Sequence, residues 1–283
     1  MPPNILTVFR RSDRSKQFIA KKVPKESNEL EILKLLNNFQ PRSEHIISLL
    51  DSFQVQSRTW AILPEMDSVK DYILGAPGEL SEHIGQICWG LIKGLAYLHE
   101  HRIAHRDIKP DNLLVRKEDF CLKVIDFDTA IEVKDEDEEV DGEYGTEGWM
   151  APEVEAQSSM YSPIRADRWS CGQVIIYLLE EFGREDKPLR SIAMKLKARS
   201  PRQRPSLLEW QTSSALPVLD SLKGRRAGER KASRPRQEII KVDEGEGLIA
   251  KKRRLAMSGK DESLACRPMA QVHSIDVVLA LNI

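Results

Sequence analysis

One stretch constrains this chain more than any other, the octet His105-Arg106-Asp107-Ile108-Lys109-Pro110-Asp111-Asn112. Taken alone it could be a solvated turn of mixed charge. Its flanks narrow that reading. Before it, Ile84, Cys88, Leu91, Leu95 and Leu98 fall on one helical face, which predicts a long helix opened by Ser81 as N-cap. After it, Leu113–Val115 and Leu122–Ile125 are short apolar runs of the kind that form strands. The octet therefore reads as a loop fixed between a buried helix and a strand pair.

The rest of the chain divides around that loop. Ile5–Phe9 and Phe18–Ala20 are rich in strand formers, with a turn expected over Arg10–Gln17. A helix is expected from Lys25 to Asn38, ended before Pro41, and then a strand pair at Ile46–Val55 and Thr59–Leu63. Gly75–Gly78 is a break. Downstream, Lys134–Tyr144 reads as an acidic loop, Arg168–Phe182 as a helix apolar on most faces and so buried, and 184–212 as further helix. Strands first and helices after predict an α+β fold of two lobes: a small β-rich lobe over 1–66 and a larger helical lobe over 67–211. Residues 212–283 are rich in Gly, Ser, Arg, Lys and Glu and predict a basic, disordered tail.

Several phrases stand in series along the chain. Asp126-Phe127-Asp128 lies 14 residues after Asn112. Gly145-Thr146-Glu147-Gly148-Trp149-Met150-Ala151-Pro152-Glu153 follows, then Asp167-Arg168-Trp169-Ser170-Cys171-Gly172, and finally Arg204 in Ser200–Pro205. In content and order they resemble the protein kinase family: HRDxKxxN, DFG, GTxxYxAPE, DxWSxG and the arginine that pairs with the APE glutamate, here Glu153. The position of Lys109 and the presence of Thr146 are the serine/threonine pattern, and the wording of several stretches is similar to divergent fungal kinase-like proteins. The resemblance covers about residues 5–211.

It implies a bilobal kinase-like fold and specific roles. Asp107 would accept the proton of an incoming hydroxyl and orient it towards the γ-phosphate of ATP, with Lys109 supplying positive charge and Thr146 bonding both. Asn112 and Asp126 would offer oxygens to Mg²⁺. Phe18-Ile19-Ala20-Lys21 is similar to the VAIK strand, which makes Lys21 the phosphate lysine and Glu29 its helix partner; Lys22 and Glu31 stand as the alternatives in register. Leu63 takes the gatekeeper place, with Pro64 and Met66 in the adenine hinge and Leu114 on the pocket floor. Pro64 has no N–H to give, but the hinge takes only a carbonyl from that position, and the amide comes from Met66.

The sequence also departs from the family. Asp128 stands where the family has glycine, adding a Cβ and a charge beside the metal position. No glycine precedes Gly75, so the small lobe is expected to be truncated, without the glycine-rich loop whose amides cover phosphates. The stretch between Phe182 and Ser200 is short for the family. The leading expectation is an ATP- and Mg²⁺-dependent serine/threonine kinase acting on protein substrates. A pseudokinase that keeps the fold and acts by binding partners is the alternative, and a small-molecule kinase is a third. Within the acidic loop, a carboxylate from Asp135–Asp141 is a candidate partner for Arg106, standing in for a phosphate.

Charge adds a second level. The formal net charge is −1, yet residues 1–212 carry −6 and 213–283 carry +5. Lys223–Arg226 and Lys251–Arg254 fit an import receptor as well as they fit solvated charge; no nucleic-acid partner is expected. No apolar run approaches the ~20 residues that span a bilayer, and no secretory start is present. The cysteines Cys88, Cys121, Cys171 and Cys266 form no close pair. Cytoplasm or nucleus is the expected location.

Overall fold

The computed structural model describes residues 4–10, 13–75, 77–156, 160–211 and 277–279. The small lobe is built on a hairpin, β1 (Ile5–Arg10) and β2 (Asp13–Val23), with Ile5 opposite Lys21 and Val8 opposite Phe18. The predicted turn is shorter than expected because Asp13 already pairs with Arg10. Helix α1 (Glu29–Asn38) follows, then β3 (Asp51–Val55) and β4 (Arg58–Pro64). α1 starts four residues later than its apolar spacing suggests. Pro24–Asn28 form a turn instead, with the Ser27 N–H donating to the Pro24 carbonyl at 3.2 Å. Ile46 and Ile47 are not in the strand pair; they lie against Val124, to which Ile47 N donates at 3.1 Å.

A two-residue strand β5 (Asp67–Ser68) leads into helices α2 (Val69–Gly75), α3 (Pro77–Ser81) and α4 (Ile84–Glu100). Ser81 thus ends α3 and does not cap the long helix. The break falls at Glu82–His83, where the His83 ring stacks on Phe120 with centroids 4.0 Å apart. Then come β6 (Ile103–Ala104), β7 (Leu113–Val115), β8 (Leu122–Val124) and β9 (Ile131–Glu132). Helices α5 (Pro152–Glu155), α6 (Pro163–Glu181), α7 (Lys187–Leu196) and α8 (Leu208–Gln211) complete the large lobe. α6 begins five residues earlier than its apolar run: the Ser162 hydroxyl accepts from Arg165 N at 3.2 Å and Pro163 takes the first helical position.

Ile84, Ile87, Cys88, Leu91, Leu95 and Leu98 of α4 are fully buried against Cys171, Val174, Ile175 and Leu178 of α6. Each such aliphatic side chain stabilises the lobe by about 1.5–3 kcal/mol. This packed pair is the platform under the loop that follows α4. No helix among the described residues is long and apolar enough to cross a membrane.

The expectation of a disordered tail lies outside the described residues, with one exception. Val277–Leu279 form strand β10, which pairs antiparallel with Val8–Arg10 of β1. The small-lobe sheet therefore runs β10-β1-β2-β4-β3. That pairing corrects the reading of 212–283 as structureless throughout. The triplet lies in the mostly apolar run Ile275–Leu281, a local strand signal that the polar composition of the tail as a whole obscured, and it pairs with the edge of β1.

Candidate active site

The octet forms the expected loop between β6 and β7, held from below by α6. Asp167, 1% exposed, accepts from the main-chain N–H of His105 at 2.7 Å on one oxygen and of Arg106 at 2.8 Å on the other. This chelation holds Arg106 at φ 68°, a conformation that a residue with a side chain enters at a cost of order 1 kcal/mol. The buried His99 also meets Asp167, at 3.2 Å, and burial pushes its imidazole below its ordinary range, towards the neutral form.

Four of the predicted residues converge above that anchor. Asp107 Oδ1 accepts the Thr146 hydroxyl at 2.7 Å, and Asp107 Oδ2 accepts Lys109 Nζ at 2.7 Å. Lys109 Nζ also donates to Thr146 Oγ1 at 2.7 Å, so the hydroxyl donates to one partner and accepts from the other. The Asn112 amide donates to the Asp107 carbonyl at 2.8 Å and to Oδ2 at 3.1 Å. With its nitrogen committed, Asn112 has its carbonyl oxygen left as a ligand for a hard cation. Thr146 is placed by Gly145 at φ 129°, where a Cβ would lie 2.6 Å from Met150 Cγ and 3.0 Å from the Arg106 carbonyl.

The second cluster joins the two lobes. Lys21 Nζ donates to Glu29 Oε1 at 2.8 Å and to Asp126 Oδ1 at 2.7 Å, and lies 3.7 Å from Asp128 Oδ2. The register alternatives fall away: Lys21, not Lys22, makes the pair, and Glu31 is exposed. Burial opposes the Lys21 charge, but Glu29 and Asp126 outweigh it and its pKa is raised. Burial likewise opposes ionisation of Asp126, and Lys21 outweighs it, so that carboxyl is held below its ordinary value. For Glu29, 1% exposed, burial wins over Lys21 and the carboxyl is pushed up to about 7. The two clusters are linked through Ile125: its N–H donates to the Asn112 carbonyl at 3.1 Å and its carbonyl meets His105 Nε2 at 2.9 Å. Phe127, fully buried, packs on the His105 ring.

Leu63 and Pro64 end β4, opposite Ile19 and Phe18 of β2. Met66 follows and packs on the main core, and Leu114 sits on β7 opposite Ser68. The strand carrying Lys21, the segment between the lobes and the Leu114 strand are thus joined by main-chain pairing, as a pocket between lobes requires. The donor set in the site, Asp126 and Asn112 oxygens beside a lysine ammonium, fits Mg²⁺ and a polyphosphate.

The carboxylates of the acidic loop that form ion pairs with arginine do so away from Arg106. That guanidinium donates to the Thr129 carbonyl at 2.6 Å and lies 3.9 Å over the Tyr144 ring. Glu136 and Asp137 instead reach α6. Glu136 pairs with the 3% exposed Arg168 and, at 3.3 Å, with Arg165, while Asp137 meets Arg165 at 2.6 Å. The Ser162 hydroxyl donates to the Glu136 carbonyl at 2.7 Å. Arg168 also donates to the Arg204 carbonyl, and the buried Arg204 holds Glu153 through two bonds, at 2.5 and 2.7 Å, as expected for that pair. The arginines at 165 and 168 were the missed signal, two cations in a stretch that otherwise reads as the start of a buried helix.

Burial raises the Glu136 carboxyl, but the Arg168 hydrogen bond and the charges of Arg168 and Arg165 outweigh it, so its pKa lies below the ordinary 4.5. Its contribution to stability is then complete above that value and disappears as pH falls through the lowered one. Glu136→Ala leaves the buried Arg168 still bonded to the Arg204 carbonyl, and Glu136 itself is half exposed, so the substitution is expected to cost about 1–3 kcal/mol. Urea denaturation at pH 7 checks the loss. The difference between variant and parent should shrink as pH falls below the ordinary carboxylate range.

Comparison with known proteins places these observations. Residues 7–226 match the protein kinase domain family model. The chain is 32% identical over 168 residues to the serine/threonine-protein kinase STE20 of Candida glabrata, covering 58% of this chain and 18% of that protein. It is 33% identical over 180 residues to shk2 of Schizosaccharomyces pombe, covering 61% and 30%, and 30% identical over 179 residues to CST20 of Candida albicans, covering 58% and 14%. It therefore spans less than a third of the length of these relatives.

Proposed function

The chain belongs to the protein kinase family, and from that premise we propose that it transfers the γ-phosphate of ATP, with Mg²⁺, to serine or threonine hydroxyls of proteins. The single observation that carries this reading is the closed triangle of Asp107, Lys109 and Thr146, with all three bonds at 2.7 Å. A binding module has no chemical need for it. An aspartate so held presents a carboxylate to an entering hydroxyl, aims the oxygen, and accepts its proton as the bond to phosphorus forms. Lys109, bonded to the same carboxylate, faces the charge moving onto the transferred group. Lys21, kept charged by Glu29 and Asp126, supplies the phosphate contact from the small lobe. Asp126 and Asn112 would hold Mg²⁺, which neutralises charge on the β- and γ-phosphates. Thr146 links the carboxylate to the segment ending in Glu153, where a protein substrate would lie.

The test is transfer of labelled γ-phosphate to the protein itself and to a generic basic protein. Incorporation that depends on Mg²⁺ supports the reading. A folded protein that gives none would instead favour the partner-binding alternative.

A further inference from the structure

The residue that most departs from the family pattern adds a further bond between the lobes, beside those of Asp126 and Phe127. Asp128 Oδ1 accepts the Ser27 hydroxyl at 2.8 Å, across 101 residues of sequence. The same Ser27 oxygen accepts the main-chain N–H of Glu29 at 3.0 Å, doing for the start of α1 what Asn28 does not, since the Asn28 side chain makes no capping bond. One residue earlier, the Phe127 N–H donates to Glu29 Oε1 at 3.3 Å. The segment 126–128 is thus bonded to the first turn of α1 at two successive residues, and Asp128 Oδ2 lies 3.7 Å from Lys21 Nζ on the inner side.

We propose that Asp128 and Ser27 are a positioning pair that fixes α1 and the metal-bearing segment in the arrangement that binds nucleotide. Swinging α1 outward would carry Glu29 away from Lys21, and the Ser27–Asp128 bond must break with it. A glycine at 128 would leave the Ser27 hydroxyl without this acceptor and the segment free to turn. Asp128 does not touch the reacting atoms in this role. It acts through Ser27 on Glu29, and through Glu29 on the direction of Lys21. The inference rests on the kinase reading for its purpose but not for its readout.

The experiment is a double-mutant cycle on the full chain with Ser27→Ala, Asp128→Ala, the double variant and Asp128→Asn. The dissociation constant of a fluorescent ATP analogue with Mg²⁺ is measured for each, with KM and kcat for ATP alongside. Ser27→Ala and Asp128→Ala are each expected to weaken analogue binding and raise KM by about three- to ten-fold. The double variant should lose clearly less than the sum of the two singles, because the Ser27–Asp128 bond is counted in both, while the Ser27 bond to the Glu29 N–H and the Asp128 approach to Lys21 are lost separately. Asp128→Asn keeps an oxygen that can accept from Ser27 and should stay within about three-fold of the parent. Effects that add in the double variant, a silent Ser27→Ala, or lowered melting temperatures with unchanged nucleotide affinity would each overturn the proposal. So would tighter binding by Asp128→Ala, since it would mean that the carboxylate only draws Lys21 away from phosphate. The Asp128 side chain is 36% exposed, so its variants are expected to fold. A parent protein that binds the analogue but transfers nothing fails the catalytic reading and leaves the cycle intact. One that binds no analogue overturns both.

Discussion

Asp107→Asn is expected to lower kcat by about 10²–10⁴-fold while leaving the fold intact. The substitution is nearly isosteric. It keeps an oxygen for the Thr146 hydroxyl, which donates at 2.7 Å, and so keeps the loop in place. It removes the basic oxygen that Lys109 now holds and that would take the proton of the entering hydroxyl. Lys109 then faces an amide, and the Asp107–Lys109 pair goes from neutral to a net positive charge. The ATP KM should move far less than kcat, because on the proposed reading nucleotide would be held by Lys21, Asn112 and Asp126 rather than by Asp107. Single-turnover transfer with labelled ATP, alongside a thermal melt, separates the two effects. A variant that transfers at more than a tenth of the parent rate would remove Asp107 from its assigned role.

The second large effect is on stability. Asp167→Ala is expected to cost about 3–5 kcal/mol in urea denaturation, from two buried amides left without acceptors at about 1–3 kcal/mol each. The amides are those of His105 and Arg106, each bonded to a different carboxylate oxygen. Arg106 sits at φ 68°, and without the anchor its main-chain N–H loses the bond that offsets that strain. Against a typical total of 5–15 kcal/mol, the loss is a large fraction. Asp167→Asn should recover only part of it, since one of its two positions would then present an N–H to an N–H. The catalytic loop should show the change first, as faster amide exchange at His105–Asp107. If Asp167→Ala melts like the parent, the loop is held by something other than this carboxylate.

The sequence made the chemistry of the site far more legible than its supports. Asp107, Lys109, Thr146, Asn112, Asp126, Lys21 and Glu29 could be named because phosphoryl transfer restricts the residue type at each point, and restricted types leave a pattern. The Glu153–Arg204 pair, which is scaffold rather than chemistry, was visible through the order of the family's motifs. The hinge positions were placed only by counting from neighbouring strands. By contrast, Glu136 looked like one carboxylate among many, and its choice of Arg165 and Arg168 over Arg106 depends on where α6 begins. That beginning was itself hidden, because Ser162 and Pro163 open the helix with polar chemistry before the apolar run. The start of α4 was misjudged for the opposite reason: Ser81 is a good cap by type, but the ring stack of His83 on Phe120 sets the boundary. Ser27 carried no signal at all. A serine before a helix is ordinary, and its partner lies 101 residues away.

The position of β10 has a consequence for how the protein is made. Its partner strand, β1, leaves the ribosome first, and the residues that cover its edge come only at Val277–Leu279. At translation rates of about 5–20 residues per second, roughly 15–50 s separate the two. Throughout that interval β1 lacks its β10 partner, and a strand edge without its partner is the kind that pairs with neighbouring chains. Closing it is also the contact of longest sequence separation in the sheet, and so among the last to form. Newly made protein is therefore open to misassembly at this edge until β10 pairs with it.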